Sequence, residues 1–307
     1  MIKYVLKKLS ILLASLFAVA TLTFFLTHAI PGDPFSDEEA IPQEILDAMK
    51  HHYGLNKPLS IQYIQYFKNL LRGDLGVSFK YVGRTANQII GDSFPISLTL
   101  GLEALAIAIP TGIFLGSVAA FQRGKWPDQL MMLMAVAGIS VPSFILATLL
   151  QYLFAMQLDW FPVARWGSFS QSVLPALSLA ALPSAMIARL TRSNMVEVLH
   201  QDYILTAKAK GLSSFQIVYR HALRNALLPV VTYLGPLCAN ILTGSFVIEK
   251  IFGIPGLGQW FVLTVANRDY TLIMSLTIFY SALLMLSVFV VDLFYSWIDP
   301  RMRYGKS

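Results

Sequence analysis

The chain has 307 residues, of which 56% are hydrophobic and only 13% charged, with a mean hydropathy of +0.61, far too apolar for a soluble enzyme of this size. Its 20 Phe, 13 Tyr and 5 Trp exclude a disordered chain, and the single Cys238 excludes a disulfide framework, a cysteine zinc site or an iron–sulfur cluster. The net charge of +6 is scattered between long uncharged runs, so no basic face for nucleic acid is formed.

Residues 9–30 carry no Asp, Glu, Lys or Arg, and 22 such residues suffice for a helix to cross about 30 Å of hydrocarbon. Lys3, Lys7, Lys8 and Ala18-Val19-Ala20 resemble a secretory signal. The apolar run continues to Ile30, however, so an uncleaved anchor fits better. Residues 31–95 read as a small helical insert outside the membrane. It opens on the helix stop Pro31-Gly32-Asp33-Pro34 and has helix-like apolar spacing at Ile45, Met49, Ile61, Ile64, Phe67 and Leu71. Five further spans follow at 96–122, 129–158, 166–188, 225–248 and 270–291, the first of them containing Glu103. Residues 251–267 are also uncharged, but Gly253, Pro255, Gly256 and Gly258 break a helix there, which suits a re-entrant or interfacial segment.

The expected protein is therefore an all-α integral membrane protein of six transmembrane helices. Its parts are an anchor helix (1–30), an extracytoplasmic insert (31–95), a five-span core (96–298) with a cytoplasmic loop at 189–224, and a cytoplasmic tail (299–307). With the N-terminus inside, the cytoplasmic segments hold 14 of the 23 Lys and Arg and the two short outer loops hold three, which places both termini in the cytoplasm. Trp126, Trp160, Trp166, Trp260 and Trp297 fall near span ends, as an interfacial aromatic belt would place them.

Several motifs invite chemistry. Gly305-Lys306-Ser307 looks like the end of a phosphate-binding loop, but Pro300 stands where a glycine is needed and no helix follows, so the chain is not expected to hydrolyse ATP. The glycine-rich 253–258 stretch lacks the strand and helix of a dinucleotide site; it suits either an outer gate or docking surface, or a plain connecting loop. His51 and His52, about 100° apart on a helix, read as solvated side chains and not a metal site. Glu103, about eight residues inside its span, faces either an aqueous pathway or a polar partner, whereas Asp292 at a span end can reach the interface. Asn240, Thr243 and Ser245 are the other polar groups a pathway could use.

The connection between spans four and five is the most informative segment. Asp202 suits a first helical turn, good helix formers follow, and Gly211 suits the stop, so a short surface helix is expected. Tyr203, Ala207 and Lys210, and likewise Leu205 and Ala209, recur at helical spacing, which suits insertion into a partner's groove or a helix lying on lipid. This segment resembles the "EAA" loop of ABC-importer permeases in the form found in peptide importers, with Ala207, Gly211, Leu228 and Pro229 matching. Leu205 stands where the motif has Glu, Thr206 stands for its first Ala, and the separation from Gly211 to Pro229 is longer than usual.

Further matching stretches extend the resemblance over nearly the whole chain: Pro31-Gly32-Asp33-Pro34, Gly73-Asp74-Leu75-Gly76-Val77-Ser78, Arg220 through Pro229, Gly253 through Gly258 and Ile298-Asp299-Pro300. The chain is thus similar to the B-type permease subunits of bacterial oligopeptide ABC importers, with Ser78-Phe79-Lys80-Tyr81 and Thr243-Gly244-Ser245 also oligopeptide-like. The resemblance implies a type I permease core in the inner membrane and a homologous second permease. It also implies two ABC ATPase subunits that use ATP and Mg, an extracytoplasmic peptide-binding protein, and no cofactor on this chain. Asp202, Tyr203, Leu205, Thr206, Ala207, Gly211 and Pro229 become the expected ATPase-coupling residues. Dipeptides, nickel complexes or antimicrobial peptides are alternative cargoes. A membrane-embedded enzyme would need paired ionisable residues at one depth, and a stand-alone transporter would need inverted halves; neither pattern is present.

Overall fold

The computed structural model describes residues 2–30, 47, 50–51, 54–81, 83–213 and 216–298. Among these residues the chain is helical apart from loops and one isolated β-bridge between Val77 and Thr85.

Helix α1 spans Ile2–Ala29, and its far half packs on α2, Leu59–Leu71, a helix within the expected insert. Phe24 is buried against Tyr63 and Tyr66, Thr21 and Tyr63 share a 2.9 Å hydrogen bond, and His28 Nε2 lies 3.2 Å from Gln62 Oε1. Ile45, Met49 and His52 fall outside the described residues, while His51 is exposed.

Helix α3 runs over Ala86–Phe121 without a break, so the boundary expected at residue 95 falls inside it. The cause is a capping box: Thr85 Oγ1 accepts from the Gln88 amide at 3.1 Å and Gln88 Oε1 accepts from the Thr85 amide at 3.0 Å. Its 36 residues make it about 54 Å long.

Expected span 129–158 is not one rod. It is α4, Trp126–Ser140, and α5, Ser143–Leu150, which continues as a π-helical segment Gln151–Gln157; the two arms meet at 103°. Pro142 lacks an amide hydrogen and pushes Val141 out of helical geometry (ψ 118°), which ends α4.

Helix α6, Phe169–Val198, continues ten residues past the expected span end and carries Arg189 and Arg192 within it. Small residues let α3 and α6 meet closely: a Cβ on Gly112 would sit 2.7 Å from Ile187 and from the Ser184 carbonyl, and one on Gly116 would strike the Ala188 carbonyl.

The connection that follows holds α7, Asp202–Ala209, a π-helical Ile217–Ala222 and α8, Leu223–Ala226. Helix α9, Leu228–Leu242, is bent by 42° from Arg220–Ala226. It stops six residues before the expected end of span five, because Gly244 (φ +92°) turns the chain into a separate short helix, α10, Phe246–Phe252. Helix α11, Gly258–Ala266, and α12, Tyr270–Ile298, complete the described residues.

Four described helices are long and apolar enough to cross a membrane unbroken, within Val5–Ala29, Ala86–Phe121, Phe169–Val198 and Tyr270–Leu293. The number rises to six if each bent pair counts as one span. Two ion pairs fasten one end of the bundle: Lys8 Nζ to Asp292 Oδ2 at 2.6 Å, and Arg192 to Asp128 through two contacts of 2.6 and 2.7 Å. They join the start of α1 to the end of α12 and the start of α4 to the end of α6, the same end from which α7 emerges.

Candidate functional site

Two assemblies stand out, one at each end of the bundle. The first is α7. Its acidic residue Asp202 lies in the first turn, favourable beside the positive end of the helix, and the helix stops at Gly211 with φ +75°. There the Leu212 amide donates to the Ala207 carbonyl at 3.3 Å and the Gly211 amide to the Lys208 carbonyl at 2.9 Å, a two-bond C-terminal closure that favours glycine.

The helix has two unlike faces. Ile204 and Ala207 are buried in a cluster with Ala120, Met195, Ile217, Ala222 and Ala226, while Asp202, Tyr203, Leu205 and Thr206 are exposed. Ala207, one of the expected coupling residues, therefore helps to seat the helix. Tyr203 is anchored through its hydroxyl, which accepts from Asn225 Nδ2 at 2.8 Å, and Pro229 lies exposed in the first turn of α9. Ile204, which the motif does not single out, is fully buried in the seat; its position three residues before Ala207 is the signal for it.

The second assembly explains the glycine-rich loop. Glu249 on α10 is fully buried, and its carboxylate occupies the space that the missing side chains of Gly244, Gly256 and Gly258 leave. A Cβ on Gly256 would lie 2.5 Å from Glu249 Cδ and from Ser97 Oγ; one on Gly258 would lie 2.9 Å from Glu249 Oε2; one on Gly244 would strike Glu249 Oε1. Ser97 of α3 donates to Glu249 Oε1 at 2.7 Å and accepts from the Leu257 amide at 2.7 Å, while the Gln259 amide at the start of α11 donates to Oε2 at 3.3 Å. The carboxylate thus sits on the positive end of α11. Burial lifts its pKa from 4.5 to about 7, against those hydrogen bonds, which favour the charged form.

Of the expected gate residues, Gly253 (φ +63°) ends α10 and Pro255 is exposed, whereas Gly256 and Gly258 are buried in the knot. Beside it, Asp269 caps α12 through the Leu272 amide at 3.1 Å and holds the insert by accepting from the Ser78 hydroxyl and from the Phe79 amide at 3.3 Å. Gly76 (φ +93°) lies so close to α12 that a Cβ would meet Thr271 at 2.6 Å. Trp260 joins this packing by donating to Ser93 Oγ at 2.9 Å, so it is not a free member of an interfacial belt.

The expected pathway residues separate. Glu103 is half-buried and its Oε2 is buried without a hydrogen-bond partner among the described residues; Asn240 is exposed. Thr243 is buried and its hydroxyl donates back to the Ala239 carbonyl at 2.9 Å. Ser245 stands half-buried before α10. Among the described residues no three His, Cys, Asp or Glu side chains gather as a metal site.

Residues 112–304 match the model of the binding-protein-dependent transport system inner membrane component family, and residues 1–115 match that of its N-terminal membrane component. The chain belongs to this family. It is a multi-pass inner-membrane permease subunit of an ABC transporter, not itself an enzyme. This permease is 49% identical to the dipeptide transport system permease protein of Bacillus subtilis, over 100% of this chain and 99% of that one. It is 45% identical to the oligopeptide transport system permease protein of Haemophilus influenzae (99% and 100%) and 44% identical to that of Salmonella typhimurium (99% and 100%). Its fold matches an inward-facing MetNI methionine ABC transporter chain with a TM-score of 0.53 at 17% identity, covering 68% of this chain and 94% of that one.

Proposed function

We propose that this permease forms half of the translocation pathway of an ATP-driven peptide importer, with oligopeptides as cargo. A homologous second permease forms the other half, two ABC ATPase subunits use ATP and Mg to drive the pair, and an extracytoplasmic binding protein delivers the peptide. The chain itself carries no cofactor. It crosses the membrane six times, each bent pair counting as one span, with both termini in the cytoplasm.

The observation that carries the reading is the two-faced geometry of α7. Asp202, Tyr203, Leu205 and Thr206 are presented outward on a helix whose other face, Ile204 and Ala207, is packed into the cluster joining the ends of α3 and α6. A cleft closing on the exposed face would move the seat with it and tilt α6 and α9, the spans on either side. Alternating access needs such an element, whose two positions are biased from both sites.

The deciding measurement is ATP-dependent uptake of labelled peptide into proteoliposomes holding this chain, its second permease, both ATPases and the binding protein, with this chain omitted in parallel. Uptake that disappears on omission is the expected result; ATP hydrolysis without uptake of any peptide would overturn the cargo. A dipeptide cargo is the second reading, favoured by the identity with the Bacillus subtilis dipeptide permease, and competition between a labelled dipeptide and a pentapeptide separates the two. Gly211→Asp forces a side chain onto a φ of +75° and is expected to leave assembly possible but to cut uptake per ATP at least tenfold.

A further inference from the structure

Helix α4 has no described member in the cluster that seats α7, whose buried residues come from α3 (Ala120), α6 (Met195), α7 itself and the 217–226 segment. Movement of α7 therefore reaches α4 by one of two routes, along the α3–α4 turn or across from α6. The turn by itself is a weak route. It runs through Gly124 at φ +78°, where a Cβ would meet nothing within 4 Å, so both chain freedom and open space favour bending there.

One assembly of side chains closes both routes. Asp128, in the first turn of α4, is 4% exposed; its Oδ1 accepts from Arg192 Nε at 2.6 Å, and its Oδ2 accepts from Arg192 Nη2 at 2.7 Å and from the Gly124 amide at 3.0 Å. Guanidinium and carboxylate meet through two bonds, which fixes an angle as well as a distance. Arg192 is at the same time pressed against α3, since a Cβ on Gly116 would lie 2.7 Å from Thr191 Cβ and 3.1 Å from the Arg192 amide nitrogen. The other groups of this joint give it no direction. Ser117 Oγ and Thr191 Oγ1 are buried without a hydrogen-bond partner among the described residues, and farther along α4 lies on α6 through small residues, a Cβ on Gly138 falling 3.2 Å from that of Ala185.

We infer that Asp128 and Arg192 are positioning residues for transport: their ion pair makes α4 turn with α6 when α7 moves. Arg192 precedes Met195 by three residues, so the turn of α6 that carries the seat of α7 also carries the clamp on α4. Helix α4 is in turn one arm of the pair that meets at 103°, and holding its start to α6 sets where that bend lies. The role in transport rests on the coupling reading above; the joint between α4 and α6 does not.

The test uses the complete importer in proteoliposomes and the ratio of peptide taken up to ATP hydrolysed. Asp128→Asn keeps the outline of the side chain and the bond from the Gly124 amide but gives up the charge. Uptake per ATP should fall about fivefold, while ATP turnover and the half-saturating peptide concentration change less than about twofold. Asp128→Asn combined with Arg192→Gln leaves no cation unpaired and should show the same fall, and Arg192→Lys, which keeps the charge without the fork, should lie between it and the wild type. Spin labels on Gln129→Cys and Glu197→Cys, both exposed positions, report the joint itself in a Cys238→Ala background. Their separation should be the same with and without trapped ATP when Asp128 is present, and should shift with ATP in Asp128→Asn. The inference is overturned if Asp128→Asn keeps its uptake per ATP, if uptake and turnover fall in the same proportion, as simple loss of folded complex would make them do, or if ATP leaves the label separation in Asp128→Asn unmoved. A separation that shifts in Asp128→Asn while Gly211→Asp transports normally would sink α7 as the coupling helix, and the transport role of the pair with it, and leave the joint standing.

Discussion

At one end of the bundle the closing loop is fastened by buried polar groups, Glu249 with Ser97 and Asp269 with Ser78, whereas at the other α7 is seated by the apolar side chains of Ile204 and Ala207 and by one exposed hydrogen bond, from Asn225 to Tyr203. Hydrogen bonds to buried carboxylates are directional and costly to leave unmade, so the glycine knot admits one geometry. Apolar contact has no preferred direction, and a helix seated that way can pivot while staying buried. The molecule thus pairs a fixed closure with a movable lever, and each can be broken separately.

The largest effect is expected at the knot. Gly256→Ala would place a methyl 2.5 Å from both Glu249 Cδ and Ser97 Oγ, and neither can retreat without losing its partners. We expect a loss of more than about 3 kcal/mol, seen as failure of the purified complex to survive mild heating and as absent uptake. Wild-type thermal stability in this variant would mean that the glycines are not there to house the carboxylate. At the lever, Ile204→Ala removes a fully buried side chain and should cost about 2–4 kcal/mol locally. Here the complex should still assemble and hydrolyse ATP while uptake per ATP falls severalfold; an equal fall in both rates would place α7 outside the coupling path.

Glu249 sharpens the contrast through pH. Its folded pKa of about 7 lies above the ordinary 4.5, so between those values the folded chain holds a proton that the unfolded chain has released. The stabilisation is complete below 4.5 and is lost as pH rises through 7. Unfolding temperature should therefore fall from about pH 5 to about pH 8 in the wild type and fall less in Glu249→Gln, which keeps the shape without the titration. Parallel curves for the two proteins would remove Glu249 from the pH response.

Much of this was legible from residues alone, and the failures have local causes. Charge-free runs located α1, α6 and α12, but they could not see that α6 continues through Arg189 and Arg192, since a helix leaving hydrocarbon has no reason to stop at the first charge. The early start of α3 was written in Thr85-x-x-Gln88, a capping signature that hydropathy ignores. Pro142 marked the break in the third span. Glu249 went unnoticed as a loop charge because its burial depends on three glycines and a serine that converge only in the fold. Thr243 shows the converse limit: a polar side chain within an apolar run looks like lining, and only the fold shows that its hydroxyl donates to the carbonyl four residues earlier. The α7 segment was located correctly, but its inward face needed the positions of Met195 and Ala222 to be known.

The smallest expected effect concerns the tie between α1 and α12. Lys8 and Asp292 lie 2.6 Å apart at the lever end, but their side chains remain 36% and 30% exposed, so water and salt screen the attraction. Asp292→Asn should cost under about 1 kcal/mol, shift the unfolding temperature by a degree or two, and leave uptake unchanged, with the shift vanishing in high salt. A rigid unit needs no more than this, because α1 is already held at its other end by Phe24 against Tyr63 and Tyr66. If the variant instead lost uptake while keeping its stability, α1 would have to move with the lever, and the division into fixed closure and movable seat would need to include the anchor helix.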